Sequence, residues 1–240
     1  MTSDTLQVKR TGAVLCLTLN RPQARNALDI ELTRSLVGAL RAFDEDDQLR
    51  VLVITGADPA FCAGLDLKSF ADPASPRAEV GALLNDLPRR AKPVIGAING
   101  AAMTGGLELA LGCDFLIASD RATFGDTHAK IGALAGGGMS SRLPYAVGYR
   151  WAKQLSFSCE PTDAATAMRI GLVNEVVAHA ALLERSMTLA DQIARHDPQL
   201  LITVKQVLER GSQTTLADSI FLEREALAQR RTRGEIRWKT

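Results

Sequence analysis

The chain has 240 residues, 46% of them hydrophobic and 23% charged, with 28 Lys and Arg against 27 Asp and Glu. That apolar content is ample for a buried core, and a net charge of +1 sets up no global field to draw nucleic acid or an anionic membrane. Four cysteines without a CxxC pair argue against a disulfide framework, and His128, His179 and His196 lack the spacing of metal ligands.

In chain order, residues 6–10 and 13–19 flank Thr11-Gly12 and predict a β-hairpin. Apolar residues at 28, 32, 36, 40 and 43 recur with helical period and predict an amphipathic helix over 28–43. Residues 51–54 make a short buried strand. Residues 57–70, containing FCAGLDLKSF, are expected as a loop, and residues 77–90 as a helix. Residues 94–98 form the strand that feeds NGAAMTGGLELALGCD at 99–114, where a glycine-bearing turn opens a helix. Residues 114–119 and 122–124 predict two further strands. The glycine run at 136–138 precedes a helical pattern at 143–148. Residues 164–171 read as a helix closed by Gly171, and 173–177 as a strand. Three helical patterns, near 180–196, 198–210 and 216–230, end the chain with no strand signal between them. Alternating strands and helices imply βαβ-type units, so an α/β core over 1–178 and a helical region over 179–240 are expected. Arg230, Arg231, Arg233, Arg237 and Lys239 form a basic stretch, expected to be a solvated face.

The segment at 99–114 carries the most chemistry. Gly105 and Gly106 at a helix start leave backbone N–H groups open to a ligand. Glu108 lies three residues further and projects from the same face. A phosphate loop fails, because Gly106-Leu107 stands where Lys-Ser/Thr is required after the GxxxxG of Gly100 and Gly105. No GxGxxG follows the first strand or the strand at 94–98, and Gly138-Met139-Ser140-Ser141-Arg142 lacks the second glycine of a hydrolase elbow. An acyl-type pocket remains, in which N–H groups from residues 61–68 and from the Gly105-Gly106 turn converge on one carbonyl oxygen. The second donor gains from a helix N-terminus.

At these positions the chain resembles the enoyl-CoA hydratase/isomerase superfamily, the crotonase family. Arg21-Pro22 with Asn26-Ala27-Leu28, then residues 61–68 and 99–114, then Phe124-Gly125, the glycine run with Arg142-Leu143, and Gly171-Leu172-Val173 match in order. The resemblance spans residues 6–230. It implies a spiral of ββα units with a C-terminal helical region used in assembly. It also implies an oxyanion hole that polarises an acyl-CoA thioester, with the N–H groups of Leu65 and Gly105 as donors. Asp66 and Leu67 would shape the thioester end, and Ala24, Arg25 and Ala63 would hold coenzyme A, with Arg25 beside a phosphate.

Hydratases of the family place two glutamates around one water. The first matches Glu108. The second position, four residues after Phe124, is His128, a departure that keeps a group able to exchange protons near neutral pH. A water is therefore expected between Glu108 and His128. Asp126, two residues earlier, would orient the imidazole if the segment is extended; a plain surface role is the alternative. Thr104 and Ala135 depart from the family's glycine and proline, and after Arg233 family members continue into a further helix that helps cover coenzyme A.

The implied activity is hydration of a 2-enoyl-CoA. Coenzyme A belongs to the substrate, and no other cofactor and no metal is expected. Expected partners are the acyl-CoA and copies of this chain, as a homotrimer or a dimer of trimers. Double-bond isomerisation and acyl-CoA binding without turnover are the alternatives. With no apolar stretch near the ~20 residues that span a bilayer and no secretory signal at the N-terminus, a cytoplasmic protein is expected.

Overall fold

A computed structural model describes residues 4–72 and 74–236; Arg237 and Lys239 of the basic stretch lie outside the described residues. The expected hairpin is β1 (Leu6–Thr11) and β2 (Val14–Leu19). With β3 (Val51–Gly56), β5 (Val94–Ile98), β7 (Phe115–Ser119) and β10 (Glu175–Val177) it forms a six-stranded sheet ordered β1-β2-β3-β5-β7-β10. Every pair after the hairpin is parallel. Between these strands the chain steps to a second sheet of β4 (Ala60–Cys62), β6 (Ala101–Met103), β8 (Thr123–Gly125) and β9 (Thr162–Asp163). Helices follow the steps: α1 (Ile30–Glu45), α2 (Arg77–Asp86), α3 (Gly105–Leu111), α4 (Met139–Ser158) and α5 (Ala164–Arg169). The repeated strand–strand–helix step is the expected α/β spiral.

Two buried asparagines pin the steps between sheets. Asn99, at the end of β5, accepts from the Gly56 N–H at 3.1 Å and donates to Asp58 Oδ1 at 2.9 Å. Asn26 donates to the carbonyls of Ala57 and Ala60, each at 2.7 Å, and accepts from the Arg21 N–H at 2.9 Å. Buried amides are retained where they satisfy several backbone groups at once.

The inner strands β2, β3, β5 and β7 of the six-stranded sheet are buried on both faces, which explains their near-continuous apolar runs. Alternate residues point opposite ways. Val14, Cys16, Val51, Val53, Ile95, Ala97 and Ile117 pack with Leu182, Ala190 and Ala194 of α6 (Leu182–Ala194). Leu15, Leu17, Leu19, Leu52 and Ile54 belong to the main core with Leu32, Leu36, Leu40 and Phe43 of α1. The last two helices, α7 (Pro198–Gly211) and α8 (Leu216–Thr232), pack on each other; α7 has no fully buried residue and α8 has only Arg230. Arg230 lies 3.1 Å from Glu235 and 3.8 Å from Asp197. Lys205 fastens α7 to the sheet through Asp114 at 2.8 Å. Among the described residues no helix is long and apolar enough to cross a membrane.

Several boundaries differ from the sequence expectation. The first helix begins at Ile30, because the Asp29 carboxylate caps the Leu32 N–H at 2.8 Å; Leu28 instead bridges to Leu65. The loop at 57–70 contains β4, and the turn after residue 98 contains β6. The pattern at 143–148 is one part of a helix that runs from Met139 to Ser158 and kinks at Gly148.

Candidate active site

The Leu28–Leu65 bridge positions the first of the two N–H groups expected as oxyanion donors. Leu28 N–H bonds the Gly64 carbonyl at 2.7 Å, and Asp66 N–H bonds the Leu28 carbonyl at 3.0 Å. A parallel bridge of this kind leaves the residue between, Leu65, with its own N–H unused; among the described residues it has no partner. The second donor, Gly105, is the first residue of α3, where no intrahelical acceptor exists. The two backbones are close: a Cβ on Gly64 would lie 3.2 Å from Gly105 N, and one on Gly105 would lie 3.5 Å from Leu65 N. Gly106 plays a different part from the one expected. A Cβ there would lie 2.0 Å from the Cys62 carbonyl oxygen, so this glycine lets α3 rest on β4.

Glu108 is 2% exposed and fixed by backbone. Its Oε1 accepts from the N–H groups of Gly137 at 2.7 Å and Met139 at 3.1 Å. The glycine run is therefore a clamp on the carboxylate. A side chain at Gly137 would place Cβ 2.7 Å from Glu108 Oε2 and 2.6 Å from Leu84. The run is held by Arg142, which bonds the Gly137 carbonyl at 2.6 Å, and by Asn85, which bonds the Gly136 carbonyl at 2.9 Å.

With Oε1 occupied, Oε2 faces His128 Nε2 at 3.9 Å. Two atoms at that separation share one water at ordinary hydrogen-bond lengths of about 2.8 Å. The other ring nitrogen, Nδ1, lies 2.7 Å from Asp126 Oδ1, which also accepts the His128 N–H at 3.2 Å. Ser156 of α4 donates to Asp126 Oδ2 at 2.6 Å. Asp126 thus orients the imidazole, but not through an extended strand. β8 ends at Gly125, and His128 sits in helical backbone geometry at the head of a 3₁₀ turn, Ala129–Ile131. The Asp126 hydrogen bond raises the pKa of His128 above its ordinary 6.5; burial opposes this, and the Glu108 and Asp126 charges reinforce it. Burial pushes the Asp126 carboxyl up, yet its bonds to His128 and Ser156 together hold it below the usual range.

Glu108 and His128 line a cavity of about 340 Å³ with Ala63, Leu65, Leu67 and Leu84, and Thr104 and Thr127 are also on its wall. Thr104 carries a left-handed φ of 52°, and its hydroxyl pairs with that of Thr127. Ala24, Arg25, Asp66 and Gly105 do not line the cavity; the Gly105 backbone lies behind Leu65, which does. Arg25 is exposed in the turn after Pro22–Ala24, and its carbonyl accepts the Ala63 N–H at 3.0 Å. Asp66 is bound to Arg21 at 2.9 Å and caps the N–H groups of Lys68 and Ser69. Its place is structural, tying the donor loop to the Arg21 turn, and Arg21 also holds Asp29 at 3.0 Å. Sequence reasoning left out Ser156 and the backbone clamp of Gly137 and Met139. The only available signal for the clamp was the glycine run itself.

The profile of the family described as enoyl-CoA hydratase/isomerase matches residues 9–237. A probable enoyl-CoA hydratase of Rhizobium meliloti is 40% identical over 227 residues, covering 93% of this chain and 88% of the relative. The crystal structure of an enoyl-CoA hydratase from Bacillus anthracis superposes with a TM-score of 0.89 at 32% identity, over 93% of this chain and 90% of that one. That of an enoyl-CoA hydratase from Mycobacterium avium is 46% identical with a TM-score of 0.79, over 96% and 99%.

Proposed function

The chain belongs to the enoyl-CoA hydratase/isomerase family, and from that premise we propose that it is an enoyl-CoA hydratase, a hydro-lyase that adds water across the 2,3 double bond of an enoyl-CoA thioester. The observation that carries the residue roles is the pair formed by Glu108 and His128 across 3.9 Å, on the wall of a cavity that Leu65 also lines.

In this reading the thioester oxygen sits between the N–H groups of Leu65 and Gly105. Glu108 Oε2 takes a proton from water as the water oxygen bonds C3. The π electrons move onto the thioester oxygen, where the two donors stabilise the enolate. His128 Nε2–H then delivers its proton to C2, and the enolate collapses back to the thioester. The proton on Glu108 returns to His128, which closes the cycle with one water consumed. A charged imidazole suits the donor role, because Asp126 favours its protonated form.

Ala63 and Leu67 line the cavity; Ala63 is assigned to coenzyme A with Ala24 and Arg25, Leu67 to the thioester end, and Asp66 to holding the loop. Coenzyme A belongs to the substrate. A homotrimer or a dimer of trimers is proposed, supported by the apolar residues Leu200, Val204, Leu208, Leu216, Ile220 and Phe221 that α7 and α8 leave exposed. The free thiols of buried Cys16 and Cys62 suit a reducing, cytoplasmic compartment.

Supplying 2-enoyl-CoA and 3-enoyl-CoA side by side tests the reading. Water addition to the former at the higher kcat/KM is expected. Preferential conversion of the 3-enoyl thioester would replace hydratase with isomerase, and tight binding without turnover of either would remove catalysis.

A further inference from the structure

The helix α4 reaches both members of the proposed catalytic pair, Glu108 directly and His128 through Asp126. Its first residue, Met139, gives its N–H to Glu108, and Ser156, near its far end, gives its hydroxyl to the Asp126 carboxylate that holds His128. A straight helix would separate those two residues by about 25 Å at 1.5 Å per residue. The chain reaches both because α4 kinks at Gly148, where φ is 75° and ψ is 161°. That region of backbone space is essentially closed to residues with a Cβ. Nothing lies within 4 Å of the position a Cβ would take there, so the need for glycine is one of backbone geometry and not of space.

The kink therefore has a result that can be read at the site. One half of α4 sets Glu108 and the other half sets the carboxylate behind His128. Asp126 is 5% exposed, and its two oxygens are divided between two partners: Oδ1 to the His128 ring and N–H, and Oδ2 to Ser156. A carboxylate anchored through one oxygen presents the other in a fixed direction, which is how an outer partner steers a histidine ring. The charged groups that face His128 are Asp126 from its own segment and Glu108 from α3. From α4 come the uncharged Ser156 hydroxyl and, acting through Glu108, the Arg142 guanidinium.

We infer that Ser156 is a positioning residue for hydration: its hydroxyl, delivered by the Gly148 kink, orients Asp126 so that His128 Nε2 points at Glu108 and the reacting carbon. The inference rests on the proposed hydratase reading for its kinetic consequence, but its structural part stands apart from it. Ser156 touches no substrate and acts only through Asp126 and His128.

The test is a double-mutant cycle with a spectroscopic readout, on the full chain. Ser156→Ala is compared with wild type, with His128→Gln and with the double variant. Ser156→Ala is expected to lower kcat about tenfold with KM nearly unchanged. In the His128→Gln background it is expected to cost almost nothing more, because its route of action is already gone. By proton NMR, the His128 Nδ1–H is expected to be shielded from solvent exchange in wild type and to exchange rapidly in Ser156→Ala. Losses that multiply across the cycle, or an Nδ1–H signal unmoved by Ser156→Ala, would overturn the inference. A wild-type protein that hydrates no 2-enoyl-CoA would instead overturn the hydratase reading, and the NMR comparison would still decide the role of Ser156.

Discussion

Glu108 and His128, the proposed catalytic pair, are held in different ways. Glu108 is gripped by main-chain N–H groups from Gly137 and Met139, whereas His128 is gripped by side chains, first Asp126 and then Ser156. A backbone clamp survives most substitutions in its own residues, since every residue but proline has an N–H. It fails only when something intrudes on the close approach. A side-chain relay is lost by a single change at either link. The pair thus combines a rigid carboxylate with a histidine whose orientation is set by two replaceable groups.

Removing the rigid member is the largest break. Glu108→Gln keeps the shape but cannot accept a proton from water, and kcat is expected to fall by about a thousandfold or more, with substrate binding retained. Steady-state kinetics on a 2-enoyl-CoA check this, and undiminished hydration would remove Glu108 from the mechanism.

The clamp itself is broken next. Gly137→Ala forces a Cβ to within 2.7 Å of Glu108 Oε2 and 2.6 Å of Leu84 Cδ1. The glycine run must move, and both N–H donors shift away from Oε1. A loss of about a hundredfold in kcat is expected, along with a drop in stability of about 1–3 kcal/mol. Denaturant unfolding measured beside the kinetics separates the two effects. Wild-type turnover in Gly137→Ala would show that the clamp is dispensable.

Much of the architecture is legible in the sequence for physical reasons that differ by element. The hairpin and α1 show because period 2 and period 3.6 persist over enough residues to register. β4 and β6 are three residues each, too short for any periodicity, and they sit inside segments whose glycines signal turns. The full extent of α4 was hidden by Pro144 and Gly148, which interrupt the apolar pattern at the place where the kink later proves useful. At the site, Glu108, Leu65 and Gly105 are legible from local motifs. Asp126 was expected to act through an extended strand, yet it acts by capping a turn and bonding the same residue's ring. Ser156 is 30 positions from its partner, and nothing local marks it. Asp66 sits in the motif, but its ion pair with Arg21, 45 positions away, gives it a structural task that spacing does not reveal.

The measurement closest to the central claim is the pH dependence of kcat in wild type and Asp126→Asn. His128 must be charged to give its proton, so activity is full below its pKa and lost as pH rises through it. The Asp126 bond is the largest cause raising that pKa above 6.5. Removing the carboxylate charge while keeping an acceptor oxygen for Nδ1 is therefore expected to move the alkaline limb to lower pH. An alkaline limb at the same pH in both proteins would contradict the assignment of His128 as the proton donor held and charged by Asp126.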